Sequence, residues 1–241
     1  MPNAALCQGS EHQNSAPQIH LPRRPLTHWP RPGRTAPMPP FISPTVRHIP
    51  GFSAPAAGFD DPFAMLQACH ERVQRTLTLL ARLRAHMLQH GADRDAHHAA
   101  RDVLRYFDVA APLHHQDEEL HVFPRLRADA HADVDLQALV RRLQQDHVCM
   151  TAEWAAARAP LQALVDHAEA AGGAAPPFFF SPQDNAALDR FASRYGEHIA
   201  AEEGLAYPAA MQLLPPSALA AMGREMAARR GVVESPSSNL N

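Results

Sequence analysis

An eleven-residue pattern occurs twice in the chain, as His114-His115-Gln116-Asp117-Glu118-Glu119-Leu120-His121-Val122-Phe123-Pro124 and as His198-Ile199-Ala200-Ala201-Glu202-Glu203-Gly204-Leu205-Ala206-Tyr207-Pro208. Both copies read His-x-x-x-Glu-Glu-x-x-x-aromatic-Pro. Four residues on a helix advance about 6 Å along its axis and return to nearly the same face. Each copy therefore aims an imidazole and a carboxylate at one point. That donor pair suits iron, manganese or zinc better than calcium, which prefers oxygen alone. A single His-x-x-x-Glu arises by chance on exposed helices, but two copies with the same tail do not.

The surrounding sequence supplies helices to carry the pattern. Asp61-Pro62 is a helix start, an N-cap acid followed by proline at the first helical position, and Gly91 is a stop. Between them Leu66, His70, Val73, Leu77, Leu80 and Met87 form an inward stripe. A second helix begins near Asp93 or Asp95 and carries Val103, Leu104, Phe107, Ala111, His114 and Glu118, with Pro112 predicting a kink or a division into two segments. A third has the cleanest seam, Leu136, Val140, Leu143, His147, Met150, Trp154, Ala157 and Leu161, and Pro160 predicts a bend near its end. Phe178-Phe179-Phe180 reads as a lid on one end of the helices rather than a strand. The fourth helix opens at Ser181-Pro182 and runs through Leu188, Phe191, Tyr195, His198, Glu202 and Leu205. Four amphipathic helices in sequence predict an all-α, up-down-up-down four-helix bundle.

His70, His114, Glu118, His147, His198 and Glu202 are then the polar residues on the inward stripes. They fall into two matching halves, each giving one lone His and one His-x-x-x-Glu. A lone histidine on an apolar face is usually a satisfied core residue. Six inward polar groups together are another matter, because burying them uncompensated costs several kcal/mol per charged group, which a pair of dications offsets. The register of the two copies places His115 and Glu119 outside this set, so substituting either is expected to leave the site intact. Glu118-x-x-His121 matches an element of ferritin-like bundles, but its counterpart Glu202-x-x-Leu205 breaks that pattern. The remaining histidines fall on outer faces or near helix ends.

Residues 1–59 hold twelve prolines in the first sixty positions and no apolar period, which predicts a disordered, proline-rich tail. Met38 is the expected start of translation, with residues 1–37 preceding it. Residues 60–212 are expected to form the bundle, and 213–241 a short helix begun by Pro215-Pro216 followed by a frayed end. A net charge of -3 gives no basis for a nucleic-acid or anionic-membrane partner. No apolar run suggests a membrane span or a signal peptide. Three cysteines make no disulfide framework and fit a reducing compartment, so a cytoplasmic location is expected. The sequence names no protein partner.

These residues resemble the hemerythrin-like, or HHE cation-binding, domain. The resemblance covers roughly 60–212 and rests on Ala68-Cys69-His70-Glu71, on both His-x-x-x-Glu-Glu segments and on Gln145-Asp146-His147. It implies a bundle around a non-haem di-iron centre. His70, His114, His147 and His198 would be terminal ligands, and Glu118 and Glu202 bridging carboxylates. Two iron ions are the implied cofactor, although zinc or manganese fits the same donors. Oxygen-carrying members have two histidines one turn apart on the third helix. Here Leu143 and Thr151 flank His147 at that spacing. One iron would lack a nitrogen ligand, which disfavours reversible oxygen carriage and favours sensing or redox chemistry with O₂, NO or peroxide. A peroxidase, an iron-sulfur repair protein and a metal-stabilised interaction module are the alternatives. Cys7 in a proline-rich tail matches the cysteine-containing segment of the repair branch poorly. Whether the chain is an enzyme stays open at this level.

Overall fold

The computed structural model describes residues 58–128, 134–170 and 177–232, with side chains of 168–170 excepted. The fold is all-α. The first rod is α1 (Pro62–His90). The second comprises α2 (Arg94–Arg105), α3 (Ala111–Asp117) and α4 (Phe123–Ala128), joined by π-helical turns. The third is α5 (Val134–Ala170), which runs unbroken through Pro160. The fourth comprises α6 (Pro182–Ser193), α7 (Tyr195–Ala201) and α8 (Tyr207–Leu213), and α9 (Pro216–Arg229) follows. No helix among the described residues is long and apolar enough to cross a membrane. The expectations for the tail before residue 58 and for the end after 232 lie outside the described residues.

The rods begin and end where local chemistry requires. The Asp61 carboxylate accepts from the Ala64 amide at 3.0 Å, and Gly91 closes α1 at φ 74, where its amide reaches the Met87 carbonyl. A side chain at that φ would be strained. Asp93 caps α2 in the same way, and Ser181 with Asp184 forms a reciprocal capping box on α6.

Three π-helical turns, Tyr106–Ala110, Glu118–Val122 and Glu202–Ala206, interrupt the second and fourth rods. Each begins six residues before a proline: Pro112, Pro124 and Pro208. A proline ring in an α-helix collides with the carbonyl four residues back and leaves it without a donor. In each case the residue before the proline instead donates five residues back, as Ala111 to Tyr106, Phe123 to Glu118 and Tyr207 to Glu202. The division expected at Pro112 thus takes the form of one widened turn. The same device recurs in both motif copies, so Glu118 and Glu202 each open a π turn.

The core is layered. One apolar cluster contains Val73, Ala111, Met150, Leu161, Phe191 and Tyr195. The other contains Leu66, Val122, Phe123, Leu143, Ala201 and Met226. Each predicted inward polar residue lies in sequence between members of the two clusters, as His70 does between Leu66 and Val73, and His147 between Leu143 and Met150. The polar groups form a belt across the bundle with apolar side chains above and below. Phe178 and Phe180 pack against the first cluster in non-helical backbone, while Phe179 is exposed. α9 lies against α1 and α3, with Met222 and Met226 in the second cluster. Gly223 permits this approach, because a Cβ there would run into the carbonyl oxygen of Phe59.

Candidate metal centre

All six predicted residues meet in the polar belt, and none is more than 6% exposed. Glu202 lies between the two halves, with Oε2 3.1 Å from His70 Nε2 and Oε1 3.0 Å from His198 Nε2. Glu118 does the same for the other two histidines, with Oε1 3.5 Å from His114 Nε2 and Oε2 3.5 Å from His147 Nε2. One donor atom from each of His70, His114, Glu118 and Glu202 lies within 4.8 Å of the others, and so do those of His147, His198 and Glu202. The first rod and the second supply the histidines of one group, and the third and fourth supply those of the other.

These donors could hold a metal ion, and several of them meet without hydrogen-bonding one another. Glu118 Oε2 and both carboxylate oxygens of Glu202 are buried and make no hydrogen bond among the described residues, despite imidazole nitrogens at 3.0–3.7 Å. Nitrogen and oxygen that lie close but point past one another converge on a third position. His147 Nε2 and His198 Nε2 themselves lie 3.2 Å apart.

The far side of each ring is held. Glu119 Oε1 lies 3.0 Å from His147 Nδ1, Glu203 Oε1 lies 2.9 Å from His70 Nδ1, and Asp146 Oδ2 lies 3.4 Å from His198 Nδ1. A carboxylate there places the proton on Nδ1 and turns the Nε2 lone pair inward. Two such lone pairs at 3.2 Å repel unless something positive sits between them. A proton is one answer: burial works against it, but Asp146 and Glu202 outweigh burial and raise His198 to about 9. A metal ion is the other. The carboxylates tell the same story. Burial, then the charge of Glu202, drives the Glu118 carboxyl well above its usual range. Burial also opposes charge on Glu202, yet His147, His198 and His70 hold it well below. Without a cation only one of the pair is comfortable as an anion.

Several residues at the site went unread in the sequence. The second glutamate of each motif copy is not a spare acid one residue out of register. Glu119 on the second rod braces the histidine of the third, and Glu203 on the fourth braces that of the first. The repeated Glu-Glu was the available signal. Tyr207, the motif's aromatic residue, donates its hydroxyl to Glu118 Oε1 and lies 3.3 Å from His70 Nε2. Its ring stacks on His70 at 5.6 Å, whereas its counterpart Phe123 lies against His147 at 5.5 Å with no polar atom to offer. Asp146 precedes His147 where Cys69 precedes His70, and His114 Nδ1 has no hydrogen-bond partner among the described residues. The two halves therefore differ in their outer support.

The other histidines stand apart from the six. His115 stacks on the outer face of His147, with ring centroids 4.1 Å apart. His86 pairs with Asp93, and His121 lies beside Glu225 and Arg229.

Comparison with known proteins agrees with this geometry. Residues 61–210 match the family model described as the hemerythrin HHE cation binding domain. An uncharacterized protein of Haemophilus influenzae is 32% identical over 178 residues, which is 74% of this chain and 95% of that protein.

Proposed function

The chain belongs to the hemerythrin HHE cation-binding family, and from that premise we propose that it is a non-haem di-iron protein that binds, senses or reacts with O₂, NO or peroxide. The observation that carries this reading is the shared use of Glu118 and Glu202, each of which lies within 3.5 Å of one histidine from each half. Imidazoles with Glu118 and Glu202 would suit iron, and Leu143 and Thr151, in place of a second histidine beside His147 on the third rod, would leave room for a small molecule. Two ferrous ions, when bound, supply one electron each to such a molecule.

The protein's own groups prepare the site for that chemistry. Glu119, Glu203 and Asp146 fix three rings with Nε2 inward. The Tyr207 hydroxyl holds a proton against Glu118 Oε1. Leu143, Met150 and Phe123, each no more than 1% exposed, pack beside the belt.

Stopped-flow mixing of the reduced, iron-loaded protein with O₂, NO and peroxide in turn tests the proposal. At least one is expected to produce a visible absorption change within the dead time or seconds after it. Silence towards all three would leave a metal-stabilised module as the better account. The outer carboxylates make a separate prediction. Glu119→Ala and Glu203→Ala are each expected to weaken metal retention by about 10–100-fold, read by chelator competition, with helix content unchanged. Retention equal to that of the parent would make these contacts incidental.

A further inference from the structure

A cleft of about 310 Å³ enters the bundle between the second, third and fourth rods and ends against His147. That is far more room than a diatomic molecule needs and falls at the lower end for organic ligands. Its walls are aromatic. Phe107 lies 4.8 Å from Phe191, 5.1 Å from Trp154 and 5.7 Å from Tyr195, centroid to centroid. Besides the exposed Gln116, two polar side chains lining it make no hydrogen bond among the described residues. One is Tyr195, 3% exposed overall, whose hydroxyl has no protein partner there and is not sealed from the cleft. The other is His115, whose ring nitrogens are likewise unpaired and unsealed. A tyrosine hydroxyl that opens on an apolar cleft with no protein partner is a handle for a ligand. No arginine lines the cleft, and its one charged residue is Glu119, an acid. An anionic guest is therefore disfavoured.

We propose that this cleft binds a neutral aromatic molecule of one or two rings bearing a hydroxyl, its ring lying against the packed rings of Phe107, Trp154 and Phe191 and its hydroxyl turned towards Tyr195 and His115. The proposal does not rest on which metal the neighbouring belt holds.

The test is calorimetric titration of the full-length protein, as purified, with 2-naphthol, 2-naphthoate and naphthalene, with metal content measured in parallel. Saturable binding of 2-naphthol at one site per chain is expected, with 2-naphthoate at least tenfold weaker. Tyr195→Phe, which keeps the ring, is expected to weaken 2-naphthol about tenfold and leave naphthalene unchanged. Thr151→Trp, a change at the exposed mouth, is expected to abolish binding while metal content stays constant. Absence of saturable binding to the parent protein overturns the proposal. So does equal affinity for the naphthoate, or a Tyr195→Phe variant that binds as the parent does. Loss of metal from the protein with naphthol binding retained would count against the di-iron reading and not against the cleft.

Discussion

Asp117→Ala is expected to destabilise the bundle by about 3 kcal/mol. Asp117 is completely buried, and α9 and its C-cap bring two guanidinium groups to it. Arg229 Nη2 lies 2.6 Å from Oδ1, and Arg230 Nη2 lies 2.7 Å from Oδ2. A buried charge pair adds little to stability over an apolar replacement, but removing one partner strands the other. The arginine side chains are 17% and 18% exposed and can reach water, so the expected loss sits at the low end of the usual range. For a domain of this size the melting temperature is expected to fall by roughly 6–12 °C. Arg229→Ala combined with Arg230→Ala strands the carboxylate instead and is expected to cost at least as much. Calorimetry at saturating metal separates this from effects on the neighbouring Glu118. A shift within 2 °C for both variants would mean that α9 is held by Met222 and Met226 alone.

This anchor shows where the sequence could and could not be read. The four rods and the six belt residues were legible because each depends on spacing along one helix. His114 with Glu118, and His198 with Glu202, declare themselves because the same spacing and the same tail recur in both copies. Asp117 does not, because its partners Arg229 and Arg230 lie more than a hundred residues away in a segment with only a weak apolar stripe. Glu119 and Glu203 were visible as a repeat, but their role depends on the second rod facing the third and the fourth facing the first. Tyr207 was visible only as the aromatic residue before a proline. That its hydroxyl reaches Glu118, while Phe123 has none to offer, is a matter of how two halves meet. Pro112, Pro124 and Pro208 advertised breaks in the helices. Their resolution as widened turns followed from the need to clear a carbonyl in a rod whose flanks are buried on both sides.

Glu202→Ala is expected to have the largest effect on metal content, removing both ions rather than one. The two carboxylate oxygens of Glu202 face His70 at 3.1 Å and His198 at 3.0 Å, so its loss takes a donor from each group at once. It also leaves four buried imidazoles with Glu118 as their remaining inward acid, and burial still drives Glu118 towards its neutral form. Metal per chain should fall to near zero, with helix content by circular dichroism retained in the cold and melting lowered. His115→Ala, which removes a ring stacked outside the belt, is expected to keep both ions. Should His115→Ala strip the metal while Glu202→Ala retains it, the register shared by the two motif copies is wrong.

The belt of six residues is proposed to hold two metal ions between Glu118 and Glu202. The most direct test of this proposal is elemental analysis of the full-length protein purified from an iron-replete host, together with its visible spectrum. Two irons per chain with ligand-to-metal absorption in the oxidised protein is the expected result. One tightly held zinc per chain with no visible absorption, or no bound metal at all, would contradict it.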